Sequence, residues 1–159
     1  MKRKNFVLLA LVVVMGLLSA CGAKAPKVDW TLTISGDVAT PLELSFADLA
    51  KKEQIDLSEI LMEKSTGEDE IRSWTGVSLE ALLEEAGAAE DFVSITAIAA
   101  DGYSIEIGVA ELADGIVALK DASEWIVDVT PDKGPIRLVT PATPANRWVF
   151  SIVEIQVNK

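Results

Sequence analysis

The sequence predicts an α+β fold: a mixed or antiparallel sheet with a few short helices. Three observations predict it. Apolar and polar residues alternate in several separate stretches, the period of a strand with one covered face. Serines at Ser45 and Ser78 stand where they would cap short helices. The helical and extended stretches do not alternate strictly, which argues against a parallel sheet built from βαβ units.

Along the chain, Trp30, Leu32 and Ile34 alternate with threonines and predict a strand that ends at Gly36, and Leu42 and Leu44 predict a short extended piece after Pro41. Ser45-Phe46-Ala47-Asp48 reads as a capping box that opens a helix running to about Lys52. Ile55 to Lys64 and Glu70 to Trp74 flank the charged tip Ser65-Thr66-Gly67-Glu68-Asp69 and predict a hairpin. A helix follows Ser78, with Leu79, Leu82 and Leu83 as its apolar stripe and Gly87 past its end. Val93 to Ala99 and Tyr103 to Ile107 alternate on either side of Asp101-Gly102, predicting a hairpin with a type I′ turn. Ala110 to Ala113 predicts one helical turn, and Ile116 to Lys120 and Ile126 to Val129 are short apolar segments. Ile136 and Leu138, then Trp148, Phe150, Ile152, Ile155 and Val157, supply two last strands. The strands carry little charge, so both sheet faces are expected to be covered.

The N-terminus has a different character. Lys2, Arg3 and Lys4 precede an apolar run from Phe6 to Leu18, too short to span a bilayer comfortably. Leu18-Ser19-Ala20-Cys21 then resembles the bacterial lipobox, and Cys21 is the only cysteine of the 159 residues. The plain alternatives are an ordinary signal peptide with a chance cysteine, or a short anchor. The lipobox reading predicts a signal peptide over 1–20, a tether over 21–28 and a domain over 29–159. Cys21 is then acylated, each buried methylene adding about 0.8 kcal/mol, so that two or three chains hold the protein on the extracytoplasmic face of the cell membrane.

Removing residues 1–20 takes three of the 14 basic residues, leaving 11 against 25 acids and a net charge of −14. Such a surface repels phosphate backbones, so no nucleic-acid partner is expected, and it repels anionic headgroups, leaving membrane attachment to the lipid on Cys21. The chain has no histidine. That excludes histidine bases, Ser-His-Asp triads and the usual zinc and haem ligands.

Three clusters exceed what a core requires: Trp74-Thr75-Gly76-Val77-Ser78-Leu79 with Leu82-Leu83, Ala100-Asp101-Gly102-Tyr103-Ser104, and Gly134-Pro135-Ile136-Arg137-Leu138-Val139 followed by Arg147-Trp148. In this order the chain resembles the sulfite-oxidase-like molybdopterin-binding domain family over about residues 29–158. The resemblance implies a mixed α+β domain. In catalytic members it implies a molybdenum held on a pterin dithiolene, oxidising or reducing small oxo-anions and sulfoxides. Those members place a metal-binding cysteine, usually followed by Gly-Asn and an Arg, before the W-x-G-V segment. Here the corresponding stretch, Ile60 to Gly67, has no Cys and no Gly-Asn pair. No hard side chain substitutes well for that soft thiolate, and Cys21 lies before the domain.

By the resemblance, Arg137, Arg147 and Tyr103 are the candidate cofactor-binding residues, and no catalytic or metal residue is assigned. Their plainer readings are ion pairing with surface acids for the two arginines and a core-facing ring for Tyr103. Asp101 reads as a turn former, and Trp74, Trp125 and Trp148 as core. The sequence thus points to a lipid-anchored, non-catalytic module that binds a small anionic ligand or a membrane protein partner, with no cofactor expected. The alternatives are a divergent oxidoreductase that holds molybdopterin through phosphate contacts and acts on a small oxo-anion or sulfoxide, and a structural module docked on a membrane complex.

Overall fold

The alternating stretches resolve into two sheets in the computed structural model, which describes residues 24–159; the predicted signal segment and Cys21 lie outside the described residues. In chain order, β1 (Thr31–Gly36) and β2 (Leu42–Ser45) lead into helix α1 (Phe46–Lys51). The hairpin of β3 (Ile55–Met62) and β4 (Glu70–Ser78) follows, then α2 (Leu79–Ala86), β5 (Ser94–Ala99) and β6 (Ser104–Gly108). After β7 (Ile116–Asp121) and the short β8 (Glu124–Trp125) come α3 (Ile126–Val129), β9 (Arg137–Val139) and β10 (Ile152–Asn158).

The first sheet has the order β2-β1-β10-β5-β6, and the second has β3-β4-β7-β8 with β9 also paired to β7. β1 and β10 are parallel while their other neighbours run antiparallel, so the fold class is the mixed α+β arrangement expected. One core draws Leu32, Ile34, Ile95, Ile155 and Val157 from the first sheet, Val77, Val117, Leu119 and Leu138 from the second, and Phe46, Leu49, Leu82 and Leu83 from the two longer helices. A second cluster covers the far face of the second sheet, built on Trp74, Ile116, Ala118, Ile126, Val139 and Trp148. Residues of β7 therefore point alternately into the two clusters, which explains why Ile116 to Leu119 read as a continuous apolar run.

The expectation that both faces of every sheet are covered holds only for the second. The outer side of the first carries Ser35, Thr96, Glu106, Glu154, Gln156 and Asn158, which hydrogen-bond to one another and to Ser94. Hydroxyl, amide and two glutamate side chains make this face polar.

The capping chemistry is as read. The Ser45 side chain accepts from the Asp48 amide and Asp48 accepts from the Ser45 amide. Ser78 accepts from the Ala81 amide, and Gly87 closes α2 in the left-handed conformation at φ 66°. The Asp101-Gly102 hairpin forms, with a different turn from the one expected. Only Gly102 has positive φ, at 87°, and the Ala99 carbonyl accepts from the Gly102 amide at 3.0 Å while the Ala99 amide donates to the Tyr103 carbonyl at 2.8 Å. This is a three-residue loop, a type I turn followed by a left-handed glycine. Asp101 stabilises it by accepting from the Tyr103 amide at 2.9 Å. Ile126 to Val129 is helical, and Trp148 and Phe150 precede β10 instead of belonging to it, Phe150 forming a single bridge to Arg137. At the N-terminal end of the described residues, Val28 and Trp30 pack on the main core, so the expected tether is already docked by residue 28.

Candidate functional site

Gly76 is the glycine of the W-x-G-V segment, and the structure shows why it is one. A Cβ there would lie 2.2 Å from the Val117 carbonyl oxygen. β4 and β7 approach this closely where their register shifts between Thr75 and Gly76. Alternation along β4 places Trp74 in the second cluster and Val77, three residues on, in the main core.

Arg137 is the first residue of the buried strand β9 and precedes Leu138. Leu138 faces the main core, so alternation turns Arg137 to the second cluster, on the side of Val139's neighbours Trp74 and Trp148. Phe150 is its cross-strand bridge partner. The guanidinium carbon lies 3.8 Å from the Phe150 ring centroid, 5.0 Å from that of Trp74 and 5.2 Å from that of Trp148. Trp74 and Trp148 meet edge to face at 6.2 Å, and the Trp148 indole donates to the Thr140 and Thr143 carbonyls, so the rings are fixed by contacts of their own.

Arg137 is 3% exposed, and its side chain makes no ion pair with any described residue. Its Nε and the Trp74 Nε1 are both buried donors without an acceptor. Burial pushes the guanidinium down to about 10, opposed by the charge of Asp121 and helped by that of Arg72. Asp121 is committed elsewhere, pairing with Arg72 at 3.3 Å. Three aromatic faces offset part of the desolvation cost by cation–π attraction. They do not supply the acceptors that buried N–H groups require.

The other two candidates sit differently. Arg147 donates to Glu111 at 2.5 Å and to the Glu106 carbonyl at 2.9 Å. It is engaged as a surface ion pair, and with the Gly108 amide it holds the Glu111 carboxyl below its ordinary value. Tyr103 is 48% exposed, so it does not cover the core face of its hairpin. Instead it lines a small cleft of about 230 Å³ together with Asp101, Asn146, Trp148 and Phe150. Phe150 is shared: it lines this cleft and covers Arg137. On its own ring stands a second cation, the Lys133 ammonium at 4.8 Å from the centroid. Trp74 and Trp148 are core as read, while Trp125 is only partly buried, against Phe46 and Lys120.

The aromatic cage was not legible in the sequence. Its members come from residues 74, 148 and 150, and only the register of β9 with β7 and with Phe150 gathers them.

Residues 22–159 match the protein family described as the oxidoreductase molybdopterin binding domain. Among solved structures, the sulfane dehydrogenase SoxCD of Paracoccus pantotrophus is similar at a TM-score of 0.73 and 22% identity, over 86% of this chain. The chain spans 40% of that protein's chain. No curated protein matches.

The residues present do not fit a molybdenum centre. The only cysteine lies before the matched domain, at Cys21. Where a thiolate is expected, the chain places the end of β3 and the hairpin tip, with Met62 packed against the second cluster. No group of three Cys, Asp or Glu side chains is placed to hold a metal among the described residues. The 230 Å³ cleft beside Tyr103 is also below the roughly 300 Å³ at which pockets for cofactor-sized ligands begin.

Proposed function

This chain belongs to the oxidoreductase molybdopterin binding domain family, and from that premise we propose that it is a non-catalytic member that binds a small anion at Arg137. The observation that carries the reading is the guanidinium itself. In a chain with 25 carboxylates, the most buried cation among the described residues makes no ion pair with any of them. An isolated buried charge is costly, whereas an anion small enough to enter beside Phe150 would accept from Nε and supply the missing counter-charge. The planar guanidinium suits two-point contact with an oxo-anion. The protein is held at the extracytoplasmic face of the cell membrane by lipid on Cys21, and it uses no nucleic acid.

Family membership favours a second reading, a divergent oxidoreductase in which molybdopterin is held through phosphate contacts alone. The donor set argues against it, since neither thiolate nor imidazole is available within the domain.

Thermal unfolding in added inorganic sulfate tests the anion reading. Sulfate stabilises folded proteins generally by exclusion from their surfaces, so the comparison is with Arg137→Met. The wild type is expected to gain several degrees more than the variant at equal sulfate. Equal gains would remove the anion site from Arg137. Membrane attachment is tested separately: Cys21→Ser is expected to abolish metabolic labelling by fatty acid, and retained label would contradict the lipid anchor.

A further inference from the structure

A groove of about 820 Å³ runs between α2, the loop from Ala88 to Phe92 and the turn that begins at Val109. It shares no residue with the cleft beside Tyr103. Its lining includes Leu79 and Leu83 from α2, with Phe92 and Leu112, and Val109 stands 48% exposed at its edge. Carboxylates occupy both sides: Glu80 and Glu84 on α2, Glu90 and Asp114 on the loops. No Lys or Arg lines it, and none of the four carboxylates makes an ion pair among the described residues.

The arrangement is electrostatically unfavourable in the free chain. Glu80 and Glu84 are one turn apart on the same helix, where like charges repel. Glu84 also sits in the last turn of α2, which has no basic residue to balance the negative end of the helix dipole. A cationic occupant relieves both. We propose that this groove docks a basic amphipathic segment of a partner protein, its apolar stripe on Phe92, Val109 and Leu112 above the buried Leu79 and Leu83, and its lysines or arginines against the flanking carboxylates. The charges lie on two sides of an apolar floor, the pattern that matches a helix laid into a groove. A compact organic cation meets one side of it. A second copy of this chain, itself strongly acidic with a net charge of −11 over its full length, is repelled.

The probe is a synthetic leucine–lysine peptide with helical spacing, measured by fluorescence anisotropy against the full-length chain in zwitterionic nanodiscs, with empty nanodiscs as reference. One variant combines Glu80→Gln, Glu84→Gln, Glu90→Gln and Asp114→Asn. A control variant removes the same charge elsewhere, through Glu43→Gln, Glu53→Gln, Glu63→Gln and Glu68→Gln, all exposed positions. Binding is expected to weaken roughly tenfold or more in the groove variant and less than about twofold in the control, with added salt narrowing the gap. Equal losses in the two variants would mean a general attraction to an acidic surface and overturn the proposal. So would an absence of peptide binding, tetraphenylphosphonium binding in the groove where the peptide does not, or sedimentation showing the groove closed by a second copy.

Discussion

Arg137 is charged, buried and without a counter-ion in the described residues, and its three aromatic neighbours offset only part of that cost. Replacing such a group by an apolar side chain of similar length removes the desolvation penalty while keeping the packing. Arg137→Met is therefore expected to raise stability by about 1–3 kcal/mol in anion-free buffer, measured by urea unfolding. The sign with pH follows from the direction of the shift. A base whose folded value is lowered is penalised while charged, and that penalty fades as pH rises above its folded value of about 10. The advantage of the variant should shrink above that pH. A destabilised variant in anion-free buffer would show that Arg137 holds the second cluster together. The sequence places this arginine in an apolar strand between Pro135 and Val139, which marks it as unusual. It could not show which rings would surround it, because two of the three follow a loop and the third is in another strand.

At the scale of elements, the approach of β4 to β7 fixes the site. Arg137 lies opposite Ala118, which lies opposite Gly76, two residues along β4 from Trp74, and the strands close to within a glycine's thickness there. Gly76→Ala is expected to cost on the order of 3 kcal/mol, since the new methyl meets backbone that cannot swing aside. Near-wild-type stability in that variant, read from its denaturation midpoint, would contradict the close contact. Helix starts, the β3–β4 hairpin and the alternating strands were legible because capping residues and period-two patterns are local. The Asp-Gly turn shows where local rules stop. The same dipeptide serves a two-residue or a three-residue loop, and the pairing of Ile98 with Ser104 selects the longer one. Acidic pH acts at this scale too. Asp48 is held below its ordinary value by its capping bonds with Ser45, and Glu70 by Lys64 and Arg72. Depressed carboxylates contribute stability above their unfolded values and lose it as pH falls through the folded ones.

For the whole molecule, the division into two sheets was not legible, because alternation reveals which face of a strand is covered and not what covers it. The overall class and the family were legible, through motifs that turn out to be structural: a close strand contact at Gly76, a turn at Gly102 and the buried strand β9. The family's domain matches residues 22–159, and the only cysteine of the chain, Cys21, precedes them. Within the domain, Arg137 lies buried beneath three aromatic rings, and no cysteine is present among the described residues.

Molybdenum content tests the proposed non-catalytic role most directly. The protein, expressed in a host that makes the cofactor and then purified, is to be measured by mass spectrometry for metal per polypeptide. The account predicts a background level of molybdenum and no fluorescent pterin on acid treatment. Close to one molybdenum per chain, retained through purification, would contradict it.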